Sequence, residues 1–276
     1  MSNTRDLIKR FGGATHSLGQ HFLLSEPVVE RMVERANITK EDTVLEIGPG
    51  LGILTKKLNS SPAKMIIACE KDRKLHEFLL GECKNKKLKL ICDDALLLIP
   101  QLQVESPFKV VANLPYNISS PVMISLLTIC PTLPKTMVLM LQKEVAQRIC
   151  AKPNSSNRGF LTVLLELMGE PEIIETVPSN LFYPEPAVQS ATILISNIEK
   201  PNFDIRSAMK IIKLSFAGKR KKLKNSLFSS LQLKGEKAEQ AAKRSGVTLD
   251  MRPEDLNKKQ WEGLILELSP LLKRSC

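Results

Sequence analysis

The tetrapeptide Asn113-Leu114-Pro115-Tyr116 follows directly on the short strand-like run Lys109-Val110-Val111-Ala112. Its residue types suit one chemistry. The Asn113 side-chain oxygen and the Leu114 backbone carbonyl are acceptors, and Pro115 fixes the turn so that the second points inward. Paired acceptors match an exocyclic amine with two N–H bonds, such as that of adenine. Such an amine is a poor nucleophile, because its lone pair is delocalised into the ring. To attack an electrophilic methyl it must be held in line. Tyr116 offers a stacking face for a base extruded from its helix. Phe182, on the stretch before Pro184, is placed to close the other face. These five residues, Asn113, Leu114, Pro115, Tyr116 and Phe182, form the expected catalytic set. The competing reading of the tetrapeptide alone is an Asn-Pro turn beside a core tyrosine. That reading leaves its position at the end of a strand unexplained.

A second constellation lies upstream. Thr43-Val44-Leu45-Glu46-Ile47 is a short apolar strand, Gly48-Pro49-Gly50-Leu51-Gly52 a tight turn, and Leu51, Leu54, Thr55 and Leu58 follow at helical spacing. Lys64-Met65-Ile66-Ile67-Ala68-Cys69-Glu70 is a second buried strand ending on a carboxylate. A strand, a glycine loop, a helix and an acid about 20 residues on follow the logic of a Rossmann-type nucleotide site. Glycines let the backbone approach a ligand closely, and Glu70 can take both ribose hydroxyls. The spacing is G-x-G-x-G rather than G-x-G-x-x-G. It points to S-adenosylmethionine, which has no pyrophosphate to seat. Gly48, Gly50, Gly52 and Glu70 are the expected cofactor residues here; an ordinary βα turn is the alternative for the glycines by themselves.

The rest of the chain must position these two groups. Ser25 and Pro27 open a helix carrying Val28, Val29, Met32, Val33 and Ala36 on one stripe. Leu88 to Cys92 is a third strand. Asp94, just past it, is placed to accept from the adenine amino group of a cofactor, or to cap the next helix. Residues 109–112 and 136–141 are strands four and five. Residues 172–177 and 191–196 are the last two, an antiparallel addition, with Leu181 to Pro186 between them as loop. The expected architecture is α/β: a Rossmann-like methyltransferase sheet of seven strands with a small all-α C-terminal domain. Residues 1–18 are expected to be mobile, 19–198 to form the methyltransferase domain, and 203–276 the helical domain.

Charge and composition narrow the partners. The chain has 276 residues and a net charge of +11, which suits a polyanionic partner such as nucleic acid, with a merely basic soluble enzyme as the alternative on charge alone. From Ile205 to Lys224 there are eight Lys or Arg and no Asp or Glu. Lys219, Arg220, Lys221, Lys222 and Lys224 are the densest part and the expected RNA-binding residues. A merely solvated basic face is the alternative. The six cysteines form no C-x-x-C pair, so neither zinc nor a disulfide framework is expected. No run of 18 apolar residues exists, and no apolar stretch of signal length opens the chain. A cytoplasmic protein, without metal and away from membranes, is expected.

Several stretches together identify a resemblance. They are Gly19-Gln20-His21-Phe22-Leu23, Glu46 to Gly52, Asn113-Leu114-Pro115-Tyr116-Asn117-Ile118-Ser119, Gln142-Lys143-Glu144-Val145-Ala146 and Phe182 to Ser190. With Phe216…Lys219-Arg220-Lys221…Asn225-Ser226-Leu227 and Arg252-Pro253-Glu254-Asp255-Leu256, the chain resembles the KsgA (RsmA)-type small-subunit rRNA adenine dimethyltransferases over roughly residues 16–262. The resemblance implies a monomeric enzyme acting on the immature small ribosomal subunit. It implies that Gln20, His21 and Leu23 lie at the cofactor's edge, Gly48 at the loop, Glu70 on the ribose, Asp94 and Ala95 by the cofactor adenine, and Asn113 beside the methyl group. Two residues depart from the family pattern. His21 stands where bacterial members often carry Asn. Lys219 stands where Arg is common, which keeps the charge but loses a bidentate phosphate fork.

Two other functions fit the same fold. One is the related large-subunit rRNA adenine methyltransferase that gives macrolide resistance. The other is a non-catalytic nucleic-acid-binding factor. Gln142 to Ala146 and the C-terminal basic block favour the small-subunit enzyme over the first, and intact Asn113 to Tyr116 argues against the second.

Overall fold

The computed structural model describes residues 4–12, 21–104, 107–218 and 220–272. Two compact units emerge, one of residues 1–146 and 172–198, the other of 147–171 and 199–276. Residues 147–171 thus belong with the C-terminal helices, although they fall inside the span 19–198 expected for the first domain.

The first unit is built on a seven-stranded sheet. Its strands are β2 (Thr43–Ile47), β3 (Met65–Glu70), β4 (Leu88–Cys92), β5 (Phe108–Asn113), β6 (Thr136–Gln142), β7 (Glu170–Val177) and β9 (Ser190–Ser196). The order is β4-β3-β2-β5-β6-β9-β7. Strands β2 to β6 pair in parallel, while β9 runs antiparallel to β6. The order reverses between β2 and β5, which lie side by side although β3 and β4 intervene in sequence. Ligands of open α/β sheets sit beyond the strand ends at such a switch point. Both constellations therefore leave the sheet at one place: the glycine turn from β2 and Asn113 from β5.

The helices α2 (Glu26–Arg35), α3 (Ile53–Asn59), α4 (Arg73–Glu82), α5 (Ala95–Leu98), α6 (Ser119–Thr128) and α7 (Lys143–Ile149) accompany these strands. Helix α2 has Ser25 at its N-cap position, but the Ser25 side chain makes no capping bond. Its stripe of Val28, Val29 and Met32 packs with Val44, Leu54, Leu58, Val111 and Val138 in one core. Lys109 on β5 is buried yet satisfied: its Nζ donates to the Ala36 carbonyl and, at 2.6 Å, to that of Asn37, and lies 3.0 Å from Asp42 Oδ2. A buried cation is tolerated only with such partners.

Two features differ from the expectations. The stretch expected to be mobile carries a helix, α1 (Thr4–Phe11), with Leu7 and Ile8 buried among Phe22, Leu51 and Leu75. The stretch expected to be loop between the last strands contains a 3-10 turn, Ser179–Leu181, and a short strand, β8 (Phe182–Tyr183). This strand pairs antiparallel with β1 (Phe22–Leu23), Phe22 opposite Tyr183 and Leu23 opposite Phe182. Two residues are too few to show alternation, so neither strand has a sequence signature.

The second unit is helical: α8 (Phe160–Met168), α9 (Ile205–Ser215), α10 (Leu227–Ser230), α11 (Gly235–Arg244) and α12 (Lys258–Leu272). Trp261, Ile211, Ile212, Phe228 and Leu264 fill its core, and Val163 and Leu167 of α8 join them. Arg158 fastens this segment. Its buried guanidinium donates to the carbonyls of Ala151 and Leu256 and pairs with Glu166 at 2.6 Å. No helix among the described residues is long and apolar enough to cross a membrane.

Candidate active site

The glycine turn is held by its backbone. Gly48, Gly50 and Gly52 have φ of 68°, 57° and 85°, the left-handed region that glycine enters without strain. Gly48 is constrained twice. Its N–H donates to the Cys69 carbonyl at 2.9 Å, and a Cβ there would lie 3.2 Å from Pro115 Cδ. The glycine turn and the Asn113–Tyr116 turn are therefore in direct contact.

Glu70 ends β3 beside this turn, with only 7% of its surface exposed. Its Oε2 accepts from the Gly50 N–H at 3.1 Å and its Oε1 from the Asp72 N–H at 2.9 Å. Burial pushes its carboxyl upward, and these backbone donors oppose the shift. The acid is thus oriented by the chain itself, with lone pairs left for a ligand.

The turn after β5 is equally fixed. The Leu114 N–H donates to the Met140 carbonyl at 3.0 Å and the Ile118 N–H to the Pro115 carbonyl at 3.1 Å. Tyr116 is half-buried, and its hydroxyl lies 2.7 Å from Ser190 Oγ. The His21 ring stacks against Tyr116, centroids 5.9 Å apart at 28°. His21 Nδ1 donates to the Pro184 carbonyl at 2.7 Å, so that nitrogen carries the proton.

A cleft with about 890 Å³ of empty space, part of it open to solvent, collects most of these groups. Of the expected residues, His21, Leu23, Gly48, Gly50, Glu70, Asn113, Leu114, Pro115, Tyr116 and Phe182 line it. Phe182 reaches it from the core, where it is almost wholly buried; Tyr183 is the exposed aromatic of that segment. Gly52 caps α3 and does not line the cleft. Asp94 and Ala95 also lie outside the lining. Asp94 caps α5 through Leu96 N–H at 2.9 Å and pairs with Lys71 at 2.9 Å, which holds its carboxyl below the usual range. Gln20 and Lys219 fall outside the described residues. Arg220, Lys221, Lys222 and Lys224 are all exposed on the helical unit, remote in sequence from every residue of the cleft.

Glu46 also lines the cleft, although its place in a short strand by itself suggests no ligand role. It is fully buried on β2, and burial lifts its carboxyl to about 8, with the charge of Glu70 adding to the shift. Its Oε2 lines up with no donor among the described residues. The signal was present: a carboxylate in an otherwise apolar strand, two residues before Gly48. The nearby Thr55 hydroxyl opposes the shift without forming a well-aligned bond to Oε2, and an unpartnered buried carboxyl of this kind fits a ligand that brings its own polar groups.

The sheet order, the glycine turn and the acid that follows define a Rossmann-like methyltransferase fold. A ribosomal RNA adenine dimethylase family model matches residues 13–269, and the chain belongs to that family. Ribosomal RNA small subunit methyltransferase A of Prochlorococcus marinus (strain NATL1A) is 37% identical over 271 residues, covering 94% of this chain and 90% of the relative. The protein of that name from Clostridium botulinum (strain Okra / Type B1) is 38% identical over 263 residues, covering 92% and 94%. Among solved structures, a dimethyladenosine transferase from Plasmodium falciparum superposes with a TM-score of 0.75 at 25% identity, over 91% of this chain and 98% of the other. The 23S rRNA methyltransferase ErmE gives 0.66 at 26%, over 90% and 99%.

Proposed function

We propose that this protein transfers methyl groups from S-adenosylmethionine to N6 of two adjacent adenosines in the 3′-terminal hairpin loop of small-subunit rRNA, giving N6,N6-dimethyladenosine during ribosome maturation. One observation carries the reading. Asn113-Leu114-Pro115-Tyr116 packs against the glycine turn, in the same cleft as Glu70. That packing supports a single site with a cofactor end and a target-base end. When bound, S-adenosylmethionine supplies an electrophilic methyl on a sulfonium.

The chain's own residues do the rest. Glu70 accepts from the ribose hydroxyls. Glu46, with its orphaned oxygen, accepts from the cofactor's amino group. The Asn113 side-chain oxygen and the Leu114 carbonyl accept from the target amine and aim its lone pair at the methyl carbon. Transfer would join N6 to the methyl carbon as the carbon–sulfur bond is lost, with the bonding pair remaining on sulfur. Nitrogen becomes cationic only as the methyl arrives, and water takes its proton afterwards, so no general base is required. Tyr116 provides the stacking surface, with His21 behind it. Asp94 and Ala95, with Gln20 and Leu23, border the cofactor.

In the helical unit, Lys219, Arg220, Lys221, Lys222 and Lys224 bind rRNA phosphates. The protein acts as a cytoplasmic monomer on immature small subunits. The test is methyl transfer to immature small subunits, naked rRNA and large subunits. Transfer confined to large subunits would support the macrolide-resistance type of activity instead; none on any substrate would support a non-catalytic factor.

A further inference from the structure

The basic block is not wholly free. Lys222 Nζ lies 2.9 Å from Asp250 Oδ1, and Lys224 Nζ lies 2.8 Å from the same oxygen. The two segments are also joined by backbone. The Leu223 N–H donates to the Met251 carbonyl at 2.8 Å, and the Lys224 N–H to the Leu249 carbonyl at 3.0 Å. Leu223 between the lysines is buried, so both lysines are displayed from an anchored turn. Asp250 itself is 62% exposed, and the lysines hold its carboxyl down at about 2. The carboxylate is therefore charged at any pH at which the protein works. Arg220 and Lys221 are also exposed, and neither pairs with a carboxylate among the described residues.

An oxygen anion gripped by two lysines has the charge and donor set that a bound phosphate oxygen would have. We propose that Asp250 is an internal phosphate competitor: it holds Lys222 and Lys224 in the spacing that grips an RNA phosphate, and must be displaced when that phosphate binds. The inference rests on the RNA-binding reading of the block. Arg220 and Lys221 make the first, sequence-independent contacts. Lys222 and Lys224 engage only where the RNA places a phosphate well enough to replace Asp250. The consequence is selectivity. An exposed ion pair contributes little to folding, so its cost falls on weak, poorly fitted complexes. A phosphate held in place by the other contacts of a fitted RNA outcompetes it, because its local concentration at the lysines is then high.

The experiment measures binding of the full-length protein to a small-subunit 3′-hairpin RNA and to an unrelated hairpin of equal length, by anisotropy across a salt series. Asp250→Asn and Asp250→Ala are compared with wild type and with Lys222→Gln/Lys224→Gln. Both Asp250 variants are expected to bind the unrelated hairpin about three- to tenfold tighter, to gain less on the cognate hairpin, and to steepen the salt slope by about one. Unchanged or weaker binding with an unchanged slope would overturn the proposal. The lysine variant separates the two ideas. If it binds both RNAs like wild type, the RNA-binding reading of these lysines fails. If it binds more weakly while the Asp250 variants match wild type, only the competitor role fails. Thermal unfolding of each variant, expected to match wild type, guards against a misfolded comparison.

Discussion

The hydroxyl of Tyr116 lies 2.7 Å from that of Ser190, joining the turn after β5 to the first residue of β9. Ser190 is fully buried and paired in register with Gln142 of β6, so it is a fixed point. Tyr116 is held at its hydroxyl by Ser190 and on its ring by His21. Stacking surfaces work by position, and a misplacement of about 1 Å can cost a hundredfold in rate. Tyr116→Phe and Ser190→Ala remove the same hydrogen bond from opposite ends. Each is expected to lower methyl transfer about tenfold, with S-adenosylmethionine affinity within about twofold of wild type. The double variant should be no worse than either single. Single-turnover rates for the four proteins give the cycle, and additive losses would mean that the two residues act independently.

Glu70 lines the cleft with its backbone donors already in place. Glu70→Ala removes the acceptor for the ribose and also leaves the Gly50 and Asp72 N–H groups without theirs. A hydrogen bond to a charged acceptor contributes about 1.5–3 kcal/mol, so S-adenosylmethionine affinity should fall tenfold or more. Titration calorimetry reads this directly. Unchanged affinity would remove Glu70 from the cofactor site.

Glu46 makes stability and binding depend on pH in a defined direction. Its carboxyl is raised in the fold from 4.5 to about 8. Between those values the folded protein holds a proton that the unfolded chain has released. Its contribution to stability is therefore complete below the lower value and is lost as pH rises towards the upper one. A cofactor ammonium beside Glu46 would favour the charged form and expel that proton. Calorimetry near pH 7 in two buffers of different ionisation enthalpy should show up to about one proton released per cofactor bound, and none for Glu46→Gln. Equal release by both proteins would place Glu46 outside the cofactor contacts.

The sheet was legible because its signals are local. An apolar run bounded by glycines, and an acid at a strand end, need no partner to be recognised. The pairing of β1 with β8 was not, since residues 22–23 and 182–183 are too short to alternate and meet across 160 positions of sequence. That pairing brings His21 to Pro184 and Tyr116. Helix α8 is apolar on nearly every face, so its periodicity could not say which core it joins. The Asp94 carboxylate illustrates a different limit. Position at a strand end allows a ligand contact or a helix cap; the geometry shows the cap and adds a lysine, and a side chain's competing partners are invisible in sequence.

Asn113 lines the cleft at the end of β5, and its variant tests whether it takes part in the reaction and at which step. Asn113 terminates β5, registered against Met140 of β6, and the next peptide is pinned by the Leu114 N–H. The side chain is thus presented from a fixed backbone. If it orients the target amine, Asn113→Ala should cut turnover far more than it weakens either ligand, because orientation is expressed in the transition state. Loss of one positioning hydrogen bond in a closed pocket should cost about 3–4 kcal/mol, a factor of a few hundred, by analogy with removal of an oxyanion-hole donor. The second methylation differs from the first. A monomethylated amine has one N–H fewer, so one acceptor, Asn113 or the Leu114 carbonyl, must go unpaired. The pinned backbone leaves the Leu114 carbonyl little freedom to turn away, whereas the Asn113 amide can rotate about its own side-chain bonds. If Asn113 is the acceptor released in the second step, Asn113→Ala should slow the first methylation more than the second. The measurement is single-turnover transfer on unmodified and monomethylated RNA at saturating S-adenosylmethionine. Wild-type-like rates on both would sink this mechanism, and an equal loss on both would reassign the released acceptor to Leu114.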